Sequence, residues 1–152
     1  MNTLPAQAAI ADGKGGFRIE TIAVAPPVGT EVRVQIKAAG ICHTDYDSMR
    51  NWGYRFILGH EGAGIVESVG ESVRSVQPGD AVILNWAMPC GQCFQCLEGN
   101  QHICERQSPV TSGAVVSAGH ARLESSLYEG ASIPRSFNLG TMSSYAMVQE
   151  AA

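Results

Sequence analysis

The clearest periodicity in the chain lies in EVRVQIKAAG, where Val32, Val34, Ile36 and Ala38 alternate with Arg33, Gln35 and Lys37. Alternation at period two places one set of side chains on each face of a strand, so this segment is expected to be a half-buried β-strand. FRIETIAV, ahead of it, makes an earlier strand, with PPVG as the intervening turn. AGIVESV and DAVILNW read as two more strands, separated by GESVRSVQPGD, in which Pro78-Gly79-Asp80 forces a turn. A last strand is expected at SYAMVQE. HTDYDSMR, after Cys42, is expected to form one short helix with Thr44 as its N-cap. Periodicity is weak from Glu105 to Gly140, and a connection of that length reads as a long loop over 105–140, either functional or a surface excursion.

Composition fits many short strands joined by turns: 17 glycines and 7 prolines occur in 152 residues without repeats. The length suits one domain, 1–152, with a real core. A net charge of -4, with its few Lys and Arg spread along the chain, offers no basic face for nucleic acid and no polybasic membrane anchor. No apolar run approaches a membrane span. The N-terminal MNTLPAQAAIADGKGG has neither a basic n-region nor an apolar h-region, so a cytoplasmic location with reduced thiols is expected.

Reduced thiols change the meaning of CGQCFQCLEGNQHIC, which puts Cys90, Cys93, Cys96 and Cys104 within one short stretch. Disulfides are disfavoured by the compartment. Ferredoxin-type clusters close with a short spacing followed by proline, whereas this pattern is C-x2-C-x2-C-x7-C followed by Glu105. Structural zinc fits better: four thiolates fill a tetrahedral ion, and close spacing lets a tight turn present paired sulfurs. Such a centre has no open position, so 90–104 is expected to be a zinc-stapled loop and the chemistry to lie elsewhere.

Two other stretches hold the remaining candidates. CHTD (Cys42 to Asp45) ends the best strand and GHEGAG (Gly59 to Gly64) enters the next, so Cys42 and His60 can meet at one end of a barrel. A thiolate and an imidazole are good zinc donors. On these residues alone the plainer readings stand beside that one, a buried hydrophobe for Cys42 and a hydrogen-bonded structural residue for His60. His60-Glu61 is not an HExxH motif, because Gly64 takes the second His position.

GHEGAGIVESVGESV nevertheless resembles the signature of the zinc-containing medium-chain alcohol dehydrogenases, with Gly64, Gly70 and Val73 at its required small positions. CHTD before it, QPGDAV and the four-cysteine loop after it, and RSFNLGTMSSYAMV further on resemble the long-loop branch of that family in the same order. The resemblance implies a mainly β fold, a GroES-like, partly open β-barrel with few short helices, forming the catalytic domain of an NAD(P)-dependent enzyme. The family oxidises alcohols to aldehydes or ketones by forming an alkoxide on zinc and transferring hydride. By the same resemblance, Cys42 and His60 are ligands of the catalytic zinc, with Glu61 behind the ion as a tuning group or transient ligand. Thr44 takes the alcohol proton, Asp45 orients His60 from its far nitrogen, His43 lies near the cofactor phosphates, and Trp86 is a substrate-pocket wall favouring small alcohols. An N-cap role for Thr44, a solvated His43 and a core Trp86 are the corresponding plain alternatives.

Two departures from the family pattern qualify this reading. The family's relay often has a histidine where this chain has Asp47, so proton release passes through Asp47, another group or water. The third zinc ligand and the dinucleotide-binding domain follow later in the family, and no GxGxxG after a strand occurs here; DGKGGF is only a near miss. The expectation is therefore a catalytic domain cut before its Rossmann half, inactive alone, with zinc held at the four cysteines and weak or missing at Cys42. The full-length protein is expected to be a homo-oligomer. From a different class, a non-enzymatic zinc-stapled barrel that binds a partner, as co-chaperonins of this fold do, is the alternative; a cysteine redox module fits less well because Cys42 lacks a resolving partner.

Overall fold

The computed structural model describes residues 3–106 and 123–152. Strands β1 (Leu4–Ala11), β2 (Phe17–Val24), β4 (Phe56–Ile57), β7 (Ser126–Tyr128) and β8 (Ala131–Ser132) form one sheet in the order β4-β1-β2-β7-β8. β3 (Glu31–Ala39), β5 (Gly62–Val69), β6 (Ala81–Leu84) and β9 (Tyr145–Gln149) form the other in the order β6-β5-β3-β9. All pairings are antiparallel apart from one isolated bridge between Ile57 and Arg135. Two helices, α1 (His43–Asn51) and α2 (Phe94–Leu97), and three single 3-10 turns complete the described residues.

The sheets curl toward each other and are joined where residues 142–144 pass between them. Ala9 N–H donates to Met142 O at 2.8 Å and Ser144 N–H to Gln7 O at 2.8 Å, while Ile36 N–H donates to Ser144 O at 3.0 Å. One short segment thus satisfies backbone groups of both sheets, giving the mainly β, partly open GroES-like barrel expected from the sequence. One apolar cluster joins the sheets, built on Ile10, Ile22, Val24 and Ile57 of the first and Met147 of the second; another gathers Val34, Val66, Leu84 and Val148 of the second sheet with Leu139. A third, with Phe56 and Leu58 at its centre, packs against Met49 and Trp52 from the helix and its end.

The strands expected at FRIETIAV, EVRVQIKAAG, AGIVESV, DAVILNW and SYAMVQE are present as β2, β3, β5, β6 and β9. β3 departs from simple alternation: Glu31, Val32, Arg33 and Val34 are all buried, and Ala38 is exposed. At its start β3 is buried on both faces, and Arg33 is accommodated there by bonding Glu67 Oε2 at 2.6 Å through Nε and Ala25 O at 3.0 Å through Nη1. The signature glycines have a packing reason, since a Cβ at Gly64 would strike Gln35 O of β3 and one at Gly70 would strike Gly29 O. DGKGGF is the β1–β2 hairpin turn, in which Asp12 Oδ1 accepts from Lys14 N–H at 2.7 Å and Gly16 N–H at 3.0 Å. Within the stretch read as a long loop, residues 107–122 lie outside the described residues, and residues 126–132 pair as β7 and β8 on the first sheet.

Candidate functional site

β3 ends at Ala39, and Gly40-Ile41 carries the chain to Cys42, whose extended backbone (φ -103°, ψ 153°) makes it the N-cap of α1. The cap is therefore Cys42 rather than Thr44: α1 starts at His43, as HTDYDSMR suggested, whereas a Thr44 cap would start it two residues later, at Asp45. Asp45 occupies the third helical position, and its carboxylate Oδ2 accepts from Cys42 N–H at 3.0 Å, satisfying an otherwise orphaned helix-terminal donor.

The other oxygen of the same carboxylate reaches the second stretch. Asp45 Oδ1 accepts from Gly59 N–H at 3.2 Å and lies 3.1 Å from His60 Nδ1, with both Asp45 and His60 buried. An ionised carboxylate only accepts, so the proton of the imidazole sits on Nδ1 and the lone pair is on Nε2. The 58–61 turn is pinned from its other side: Leu58 N–H donates to Ala9 O at 2.9 Å, Thr141 N–H to Gly59 O at 3.0 Å, and Thr141 Oγ1 to Glu61 O at 3.2 Å.

These supports bring Cys42 Sγ, a ring nitrogen of His60 and a carboxylate oxygen of Glu61 within 4.8 Å of one another. Glu61 Oε1 is 4.0 Å from His60 Nε2, and Thr44 Oγ1 is 3.5 Å from Cys42 Sγ. Zinc bonded at about 2.0–2.3 Å holds neighbouring donors about 3.3–3.8 Å apart, so the three need contract only slightly to share an ion. Donor chemistry, spacing and the tautomer of His60 all fit zinc.

The same test succeeds at the cysteine loop. Cys93 caps α2, Cys96 lies within it, and the turn Gln101–Ile103 delivers Cys104. Cys90, Cys93, Cys96 and Cys104 have all sulfurs within 4.8 Å; Cys90–Cys96 and Cys93–Cys104 are each 4.0 Å apart. Four thiolates at about 2.3 Å from one ion stand about 3.8 Å apart, which is close to these separations. Backbone N–H groups of Cys96 and Glu105 hold the Cys93 thiol below its ordinary range, while burial pushes Cys96 up to about 11. A dication amid the sulfurs would offset that penalty.

The remaining sequence candidates divide. His43 and Asp47 point outward from α1 and pair with each other, His43 Nε2 to Asp47 Oδ1 at 3.5 Å, with side chains 82% and 57% exposed. Trp86 lines a cleft of about 510 Å³ together with His60, Glu61, Leu84 and Ile83. Phe137 had no part in the sequence reading, yet its ring centroid is 4.8 Å from that of His60 and 5.6 Å from that of Trp86. Phe137 and Asn138 both take left-handed backbone (φ 46° and 61°), which strains a bulky Phe and is tolerated by Asn. Asn138 ahead of Gly140 was the only hint of this turn in the sequence.

Residues 29–152 match the family described as "Alcohol dehydrogenase GroES-like domain". The chain is 40% identical over 136 residues to alcohol dehydrogenase 6 of Peromyscus maniculatus, covering 87% of this chain and 35% of that protein. Among solved structures it is similar to an alcohol dehydrogenase zinc-binding domain protein from Burkholderia ambifaria (TM-score 0.83, 32% identity, 98% of this chain and 41% of that one). It is similar also to benzyl alcohol dehydrogenase from Acinetobacter calcoaceticus (TM-score 0.76, 32% identity, 97% and 40%). The chain thus spans roughly two-fifths or less of the length of these relatives. With the fold, the two cysteine-containing centres and these likenesses in agreement, the chain belongs to the zinc-containing medium-chain alcohol dehydrogenase family, of which it carries the GroES-like domain.

Proposed function

We propose that these residues form the alcohol-binding part of a zinc-dependent, NAD(P)-linked alcohol dehydrogenase, with Cys42, His60 and Glu61 as metal donors and residues 90–104 as a structural zinc loop. The observation that carries this reading is the Asp45 carboxylate, which holds Cys42 and His60 together and leaves His60 Nε2 free to bind metal. When bound there, zinc would supply Lewis-acid polarisation of an alcohol oxygen, and a nicotinamide the hydride acceptor. Thr44, beside Cys42, accepts the proton of the substrate hydroxyl through Oγ1. From there the proton leaves through Asp47, exposed on the outer face of α1, through another group or directly to water; His43, exposed beside it, would lie near the cofactor phosphates.

Trp86 and Phe137 form an aromatic wall beside His60 and select small alcohols or aldehydes, a single aryl ring included. The Acinetobacter relative's name records benzyl alcohol as its substrate. The segment 105–140 serves as the long loop of this branch. The whole protein works as a cytoplasmic homo-oligomer without nucleic-acid or membrane partners; no helix among the described residues is long and apolar enough to cross a membrane. Residues 1–152 alone are inactive, because hydride transfer needs a nicotinamide site beyond those described. Three protein donors, one of them an exposed Glu, hold zinc more weakly than four thiolates.

Elemental analysis tests the metal assignment. About one zinc per chain should survive dialysis and be lost in Cys93→Ala, while a second, loaded at excess zinc, should be lost in His60→Ala. A second equivalent that persists in His60→Ala would overturn the assignment of the Cys42 cluster.

A further inference from the structure

We propose that Gly40 is a positioning residue for Glu61: the hydrogen atom it carries in place of a side chain is the space in which the Glu61 carboxylate reaches the Cys42–His60 cluster. The inference rests on the reading of that cluster as a metal centre.

Gly40 lies between β3 and Cys42, and its backbone is outside the left-handed region, so its φ does not call for glycine. The three atoms that a Cβ at residue 40 would meet first all belong to one side chain. It would fall onto Glu61 Oε2 and press Glu61 Cβ and Cδ at 3.1 and 3.2 Å. The glycine is thus fitted first of all to Glu61.

The main chain fixes the direction from which that side chain comes. Glu61 O accepts from Gly40 N–H at 2.9 Å and from Thr141 Oγ1 at 3.2 Å, so one carbonyl is held by both flanking segments. A Cβ at Gly62 would meet Thr141 Cγ2 at 2.6 Å, which shows how closely Thr141 is packed on this turn. With its Cα held, Glu61 answers an intruding methyl group by rotating its carboxylate away, while its Cβ gives by a few tenths of an ångström. That side chain is 50% exposed, so rotation into solvent is open to it and the fold has no reason to break. Gly40→Ala should therefore remove one metal donor without touching Cys42, His60 or Glu61 in sequence.

The test is a double-mutant cycle in cobalt(II) binding, with zinc already on the four-cysteine loop and the visible cobalt–thiolate absorption as the readout. Gly40→Ala should weaken cobalt binding at Cys42 by about ten- to hundredfold, as loss of a supporting group at a metal site does. Made on top of Glu61→Ala, the same substitution should change affinity by less than about twofold, because the group it displaces is gone. Equal losses in both backgrounds, or no loss in either, overturn the inference, and retention of loop zinc certifies the fold throughout. If the wild-type chain takes up no second cobalt, the metal-centre reading fails. Gly40 is then judged on the crystal structure of Gly40→Ala, where a carboxylate still lying over residue 40 overturns the inference and one turned to solvent upholds it.

Discussion

At the residue scale, Asp45 holds the centre together. Its two oxygens accept from Cys42 N–H, Gly59 N–H and His60 Nδ1–H, so one buried carboxylate ties the start of α1 to the turn that carries His60. Asparagine has a single acceptor oxygen and would turn an NH2 group toward at least one of these donors. Asp45→Asn should therefore cost about 1–3 kcal/mol in urea denaturation. It should also weaken metal at Cys42 about ten- to hundredfold, since nothing then fixes the tautomer of His60. Loss of stability with unchanged metal affinity would assign Asp45 to the fold alone. Phe137 shows the opposite relation between residue and site, since its ring is brought to His60 by a strained turn far along the chain and not by a sequence neighbour.

Among the elements, β3 has a charged pair built into its buried end. The Arg33 guanidinium holds the Glu67 carboxyl below its ordinary 4.5, so this pair stabilises the fold fully above that value and its contribution is lost as pH falls through the lowered one. Wild type should accordingly exceed Glu67→Gln in stability near neutral pH, and the gap should shrink progressively as pH falls below the ordinary 4.5. A gap of constant size would show that Glu67 acts through packing and not through charge. The sequence disclosed β3 through Val32, Val34 and Ile36 but not the burial of Arg33, because alternation records side-chain chemistry and not what the folded chain lays over each face. β1 escaped notice because half of LPAQAAIA is alanine, a weak strand former that here packs Ala6 and Ala8 on one face and Ala9 and Ala11 on the other. β4, β7 and β8 are too short to display any period. The proposed metal donors were legible because CHTD, GHE and the cysteine spacing are local, whereas Phe137, Thr141 and Gly40 act through contacts that only the folded chain creates.

For the whole molecule, the third apolar cluster couples stability to the site. Phe56 is fully buried between Ala11, Leu58 and Trp52, and β4 runs directly into the Leu58–His60 turn. Phe56→Ala should lower stability by about 3–5 kcal/mol, and protection of the amides of Leu58 and Gly59 from hydrogen exchange should fall with it. Closure of the barrel is a long-range event: Gln7 and Ser144 exchange bonds across 137 positions, and β9 pairs with β3 from Glu31 to Gln35. During synthesis, β3 leaves the ribosome about a hundred residues ahead of β9, a wait of roughly 5–20 s at ordinary elongation rates. Throughout that interval the EVRVQ segment presents an open edge to other chains, so the newborn polypeptide depends on chaperones or on a low local concentration until β9 arrives.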